Sequence, residues 1–243
     1  MPSRPDAELL DHLVAARLAG PVAPPTSSSL TNCRRLLDGD PDCTFGLSDW
    51  RDATYEEVLA AVGALGGDLQ YPDGGFIDPE ATLDAILRHR QALARFVAGG
   101  GGRVILATGH PGPLTAHYAT LARALAAAGC DVLQPVANSV DYVDGVGALA
   151  FDGRRHHTHR PDQMQAMLAE VGGVDLVIAD HGFAGAAVEA GLPTLSIADV
   201  NDPALPLAQA RGRTDGVLVI DDGLDPSAFV PVTKAMLSSW NRG

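Results

Sequence analysis

The hydrophobic pattern changes character near residue 100. Before it, apolar positions recur at helical spacing. Leu9, Leu10, Leu13, Val14 and Leu18 define a helix over residues 6–19 that Pro21, Pro24 and Pro25 stop. Ser27, Ser28 and Ser29 offer N-caps to a second helix, which carries Asn32, Arg34 and Arg35 and ends at Gly39-Asp-Pro-Asp. Thr54 and Glu57 stand in capping-box register at the head of a short helix running to Gly63. Asp78 and Pro79 open a longer one that runs to Ala98 and stops at four glycines, Gly99 to Gly102. Residues 1–98 are therefore expected to be a helical segment packed on the remainder.

From Arg103 the rhythm becomes short apolar runs alternating with helical stretches. Arg103-Val-Ile-Leu-Ala-Thr, Asp131-Val-Leu-Gln-Pro-Val, Val146 to Phe151, Val174 to Ala179, Pro193 to Ala198 and Gly216 to Asp221 read as strands. Helices are expected near 113–128, 161–171, 184–190 and 227–240. Such alternation predicts an α/β three-layer sandwich with a mostly parallel, Rossmann-like sheet of about five strands over residues 99–243. The two segments are expected to form one structural unit.

The charge narrows the partners. The formal net charge is -13, and Arg154-Arg155-His156-His157 is the nearest thing to a basic patch, so a nucleic-acid partner is not expected. An anionic surface disfavours an anionic membrane, and no apolar run approaches the roughly 20 residues that span a bilayer. The N-terminus lacks the apolar core of a secretion signal, which makes the cytoplasm the expected compartment. The cysteines, Cys33, Cys43 and Cys130, are odd in number and lack CxxC spacing, against both a disulfide framework and a zinc–thiolate site. Oligomeric state leaves no mark on the sequence.

Parallel sheets bind ligands beyond the carboxyl ends of their strands, and three polar clusters fall there. Thr108-Gly109-His110-Pro-Gly-Pro follows the first strand; the helix start beyond it offers backbone N–H groups to an anion, although a plain β–α turn explains the same residues. Asp180-His181-Gly182 follows the Val174 strand. Either residue can transfer a proton or bind a metal, while an N-cap and a turn residue are the plainer alternative. Asp199-Val-Asn201-Asp202-Pro follows the next strand. Three oxygen-bearing side chains in four residues suit a hard divalent cation, Mg2+ or Mn2+, where an Asx-turn would serve structure alone. Neighbouring strands would bring the last two clusters together. His156, His157 and His159 form a further group, with His159 favoured by its place at a helix entry. Arg34 or Arg35 could clamp a phosphate. No Gly-x-Ser-x-Gly elbow and no Asp-x-Asp-x-Thr signature is present.

Several strings together resemble a family of actinobacterial phosphatases. They are Asn32…Arg35-Leu…Gly39-Asp-Pro, Ala107-Thr-Gly-His-Pro, His157-Thr-His159…Met164…Met167-Leu, Asp175-Leu-Val-Ile-Ala-Asp-His-Gly-Phe-Ala-Gly-Ala-Ala and Ala198-Asp-Val-Asn-Asp-Pro-Ala-Leu. The resemblance covers nearly the whole chain; its motif positions are His110, His157, His159, Asp180, His181, Asp199, Asn201 and Asp202. It implies a phosphatase. Combined with the residue chemistry, the expected function is a metal-assisted phosphomonoesterase for a small phosphorylated molecule. His110, His181 and Asp180 would be catalytic. Asp180, Asp199, Asn201 and Asp202 would hold the cation, and Thr108, Gly109, Arg34, Arg35 and His159 would hold substrate. The alternative is a protein that binds a nucleotide or sugar phosphate without turnover.

Overall fold

The computed structural model describes residues 4–72 and 74–238. Its first strand of the main sheet, β3 (Arg103–Thr108), runs through the middle of the molecule and is paired on both edges. On one side lie β8 (Leu176–Asp180), β9 (Thr194–Ala198) and β10 (Val217–Val219), all parallel. On the other edge, β4 (Asp131–Val132) pairs with the start of β3 and β6 (Val146–Phe151) with its end. The antiparallel β5 (Val140–Val143) and β7 (Arg154–Arg155) complete the sheet. Every residue of β8, β9 and β10 is buried, as strands covered on both faces must be.

The chain leaves β3 toward β4 and β6, then returns to β8 on the opposite side. The order β10-β9-β8-β3-β6-β5 therefore reverses between β3 and β8. The connections that start there leave in opposite directions and open a crevice beyond the strand ends.

Two helical layers cover the sheet. One contains α1 (Arg4–Ala15), α5 (Pro79–Ala98), α6 (Pro111–Ala127) and α10 (Val230–Leu237). The other contains α7 (Asp162–Glu170), α8 (His181–Glu189) and α9 (Ala204–Ala210), with α4 (Tyr55–Ala64) packed on α9 and α2 (Thr26–Leu37) on α4. The N-terminal helices thus divide between both layers rather than capping the core from one direction. The short α3 (Pro41–Thr44) sits over the crevice.

Several boundaries follow from local chemistry. Asp78 accepts from the Glu80 N–H at 2.9 Å, and α5 begins at Pro79 as its sequence requires. Thr54 accepts from the Glu57 N–H at 3.1 Å and caps α4. Other expectations are corrected. The serines at 27–29 lie inside α2, whose N-cap position is Pro25. The run from Asp131 to Val136 pairs only over two residues, because Pro135 has no N–H to extend the ladder. The N-terminal segment also contains a small antiparallel ribbon, β1 (Gly20–Val22) with β2 (Gly75–Ile77), too short for any alternation to announce it. No helix among the described residues is long and apolar enough to cross a membrane.

Candidate active site

The crevice is built from four strand ends. β3 delivers Thr108, Gly109 and His110; β8 delivers Asp180 and His181; β9 delivers Asp199 and Asp202; β10 delivers Asp221 and Asp222. The β6–α7 connection adds His157 and His159. The aspartates of the crevice and the histidine between them are out of water: Asp180, Asp199, Asp202, Asp221, Asp222 and His181 are each less than a tenth exposed.

His181 is the hub. Its Nδ1 lies 3.0 Å from Asp180 Oδ2, and its Nε2 lies 3.4 Å from Asp202 Oδ2 and 3.5 Å from Asp222 Oδ2. The backbone is bent to present it: His181 has φ 47°, in the left-handed region that a β-carbon disfavours. The next residue must be glycine, since a Cβ at Gly182 would collide with the carbonyls of His159 and Arg160. A second close approach is at Gly109, where a Cβ would strike the Thr158 carbonyl and come within 3.0 Å of His181 Nδ1.

The β3–α6 turn is spent on the protein itself. The Gly109 N–H donates to Asp180 Oδ2 at 3.0 Å, and the His110 N–H donates to Thr108 Oγ1 at 2.9 Å. Pro111 and Pro113 have no N–H, and the Leu114 N–H returns to the His110 carbonyl at 3.2 Å. Little of the helix start is therefore left to hold an anion. Thr108 and Gly109 shape the turn and tie it to Asp180.

His110 is half-buried at the rim, with Nδ1 3.1 Å from Asp222 Oδ1. Its ring stacks on His157, with centroids 4.5 Å apart. His159 stacks on His181 at the same spacing, and its Nε2 is 3.1 Å from His157 Nε2. The Phe45 ring packs edge-on to both His159 and His181. His156 instead stacks on the exposed Phe151, outside the group.

Burial and the carboxylates set the proton affinities. Burial pulls the His181 imidazole down, but Asp202, Asp180 and Asp222 more than reverse this and hold its pKa well above the ordinary histidine value. His110 follows the same logic: burial opposes its charge, and Asp222 raises its pKa. His157 goes the other way, pushed down to about 4 by burial and by the neighbouring His181, His110 and His159. Asp199 is raised well above the carboxylate range by burial, then by Asp222, Asp202 and Asp221. Asp202 is buried too, yet His181 and His159 bring it below its ordinary value.

Four buried polar atoms here make no hydrogen bond of good geometry: Asp180 Oδ1, His181 Nδ1, Asp222 Oδ2 and the Tyr118 hydroxyl beside Asp180, although His181 Nδ1 faces Asp180 Oδ2 and Asp222 Oδ2 faces His181 Nε2 as ion pairs. Such atoms are costly unless something satisfies them. Asp180, His181 and Asp222 offer ligand atoms within 4.8 Å of one another, as do His110, His157 and His181. This buried histidine–aspartate cluster can hold a metal ion.

The residues expected from sequence divide. His110, Asp180, His181, Asp202 and His159 meet in the crevice. Asp199 is beside them, but its Oδ1 accepts from the Val200 N–H at 2.6 Å. Asn201 is held through its main-chain carbonyl, which accepts from Asn32 Nδ2 at 2.8 Å. Arg34 lies over the Tyr55 ring, and Arg35 is paired with Asp40 at 2.9 Å and with Asn32 at 3.3 Å. Both arginines are engaged by these partners; Arg35 supports the Asn32 amide that holds the β9 loop. Sequence reasoning missed Asp222. Its signal was present, since Asp221-Asp222 ends a fourth apolar strand just as Asp180 and Asp199 end theirs. Asp221 is occupied, accepting from the Ala23 and Gly223 N–H groups at 3.1 Å, whereas Asp222 faces the histidines.

Known proteins match this chain end to end. A family profile described as Phosphatase matches residues 4–242. Phosphatase SCO2771 of Streptomyces coelicolor is 36% identical over 256 residues, covering 98% of this chain and 96% of the relative. The chain belongs to the phosphatase family and is, with it, a hydrolase.

Proposed function

We propose that the chain hydrolyses the phosphoric monoester of a small metabolite, assisted by a divalent cation, Mg2+ or Mn2+, held by Asp180, His181 and Asp222. The observation that carries this reading is the buried grouping of Asp180, His181 and Asp222, whose ligand atoms lie within 4.8 Å of one another with hydrogen-bonding capacity left unfilled, where the strand order reverses. A cation there supplies Lewis-acid charge for a phosphoryl oxygen and acidity for an attacking water.

The chain's own groups do the rest. Asp222 fixes His110 through Nδ1 and favours its protonated form, so His110 serves as proton donor to the leaving oxygen from the rim of the crevice. Asp202 acts through His181, orienting the ring from its Nε2 side. His157, pushed toward its neutral form, stacks beneath His110 and limits its rotation. Burial of the carboxylates keeps bulk water from their charges, which strengthens every electrostatic contact made inside.

The test is phosphate release from p-nitrophenyl phosphate and a panel of small phosphomonoesters by chelator-treated protein, with and without Mg2+ or Mn2+. Release that returns with the cation supports the proposal. Equal release without any cation removes the metal from it. Binding of a phosphate ester without release, whatever the cation, would replace the enzyme by a binding protein.

A further inference from the structure

The group of Asp180, His181 and Asp222 does not exhaust the crevice. Around the buried His181, four imidazoles crowd together toward the rim: His110 over His157, His159 over His181, and His157 within 4.7 Å of His159 and 5.1 Å of His181 between ring centroids. Clustering four potential cations beside one another is unfavourable unless a common partner gathers them.

The pair His157 and His159 is the informative one. The Asp42 carbonyl lies 2.7 Å from His159 Nδ1. A carbonyl only accepts, so Nδ1 carries the hydrogen and the neutral ring directs the lone pair of Nε2 outward. That lone pair points at His157 Nε2, 3.1 Å away. Two nitrogens bound at about 2.1 Å to one ion stand about 3.0 Å apart at a right angle and about 3.4 Å apart at the tetrahedral angle. The observed 3.1 Å is met by a hydrogen bond from His157 to His159 and falls equally within the bite of two ligands on a shared ion. Handing the far N–H to a backbone carbonyl is also how metal-bound histidines are oriented.

We infer that the crevice has a second cation position, on its histidine side, formed by His157 and His159 with His181 beside them, and that it selects a borderline ion such as zinc over magnesium. Imidazole donors favour zinc, whereas magnesium prefers oxygen and keeps its waters. The first position is rich in carboxylate and the second in nitrogen, so the two differ in kind. Asp42 and Phe45, from α3 and the residue after it, then become positioning residues. One sets the His159 tautomer and the other packs edge-on to the His159 and His181 rings. The inference rests on the cation held by Asp180, His181 and Asp222; its test reads binding rather than turnover.

The full chain, stripped with chelator, is titrated with Zn2+ and separately with Mg2+; bound metal is counted after gel filtration and the unfolding temperature is recorded. The expected result is about two zinc ions per chain, falling to about one in His157→Ala and in His159→Ala, with no second equivalent of magnesium. Circular dichroism confirms that each variant is folded, and His159→Gln gives a milder second variant should alanine unfold the chain. One zinc or none in the unmodified protein overturns the inference, as does an unchanged count in both folded variants. If phosphate esters are hydrolysed while only one ion binds, the second position fails and the phosphatase reading stands. Two bound ions with no hydrolysis of any ester would do the reverse.

Discussion

The Gly109 N–H donates to Asp180 Oδ2 at 3.0 Å, joining the ends of β3 and β8 across the boundary where the sheet order reverses. This bond uses one oxygen of Asp180 and leaves Oδ1 without a partner. It also brings the two loops so close that no side chain fits at residue 109. Gly109→Ala should therefore push the Thr158 carbonyl and the His181 ring apart. The expected cost is about 1–3 kcal/mol, the range for overpacking a buried site. Urea unfolding gives that number, and turnover should fall further than the stability loss explains, because His181 moves. A variant of unchanged stability and activity would show that the approach is looser than described.

Asp222 is the carboxylate that touches both His110 and His181. Asp222→Asn keeps the shape and removes the charge that raises His110. If His110 is the proton donor, removing the carboxylate that orients it should lower the rate by up to the roughly 10²–10⁴ that a positioned proton donor supplies. The limb of the kcat/KM profile that reports His110 ionisation should also shift to lower pH, since an imidazole without its carboxylate gives up its proton more readily. A rate loss with an unmoved pH profile would assign Asp222 to cation binding alone.

Much of this crevice's lining was legible because strand ends in a parallel sheet share one direction. Asp180 and Asp199 each follow a buried apolar run, and the pairing of β8 with β9 placed them side by side as the pattern required. Asp222 was overlooked for a physical reason: it follows Ile220-Asp221, and the first aspartate reads as the end of the strand while the second reads as loop. The partners of the arginines were not legible, because helical position says nothing of side-chain partners. Arg35 found Asp40, five residues on, and Arg34 found Tyr55. The strands β1, β2 and β5 were invisible for another reason. At three or four residues each, they are set by pairing with distant chain rather than by local alternation.

Asp199 carries a stability prediction with a defined sign. Its folded pKa is raised, so the folded protein binds the proton at higher pH than the unfolded chain does. Ionised Asp199 is therefore destabilising above the folded pKa, and the penalty disappears as pH falls toward the unfolded value. Asp199→Asn can retain the oxygen that accepts from Val200 and removes the charge. In chelator-treated protein at neutral pH the variant should be more stable, on the order of 1 kcal/mol or roughly 2–4 °C in Tm, and the gain should shrink in acid. Were Asp199 only a turn residue, the substitution would cost stability at every pH.

The last prediction lies away from the crevice, in the layer that supports β10. His89, on α5, is buried, and its Nε2 is 2.8 Å from the Gly216 carbonyl, so that nitrogen carries the hydrogen. Burial lowers its pKa to about 4. His117, on α6, is lowered to about 3; its Nδ1 lies 2.7 Å from Thr233 Oγ1, which itself donates to the Phe229 carbonyl. Both rings are neutral in the fold, whereas in the unfolded chain both take a proton below about pH 6.5. The unfolded state thus binds more protons between that pH and the folded values, and stability is lost as pH falls through the window. His89→Gln keeps a donor for Gly216 and removes one titration. Between pH 7 and pH 4.5 the unmodified protein should lose about 2–3 kcal/mol more than the variant. Urea midpoints at the two pH values measure this directly. Parallel pH slopes for the two proteins would mean that His89 already exchanges protons with solvent in the folded state.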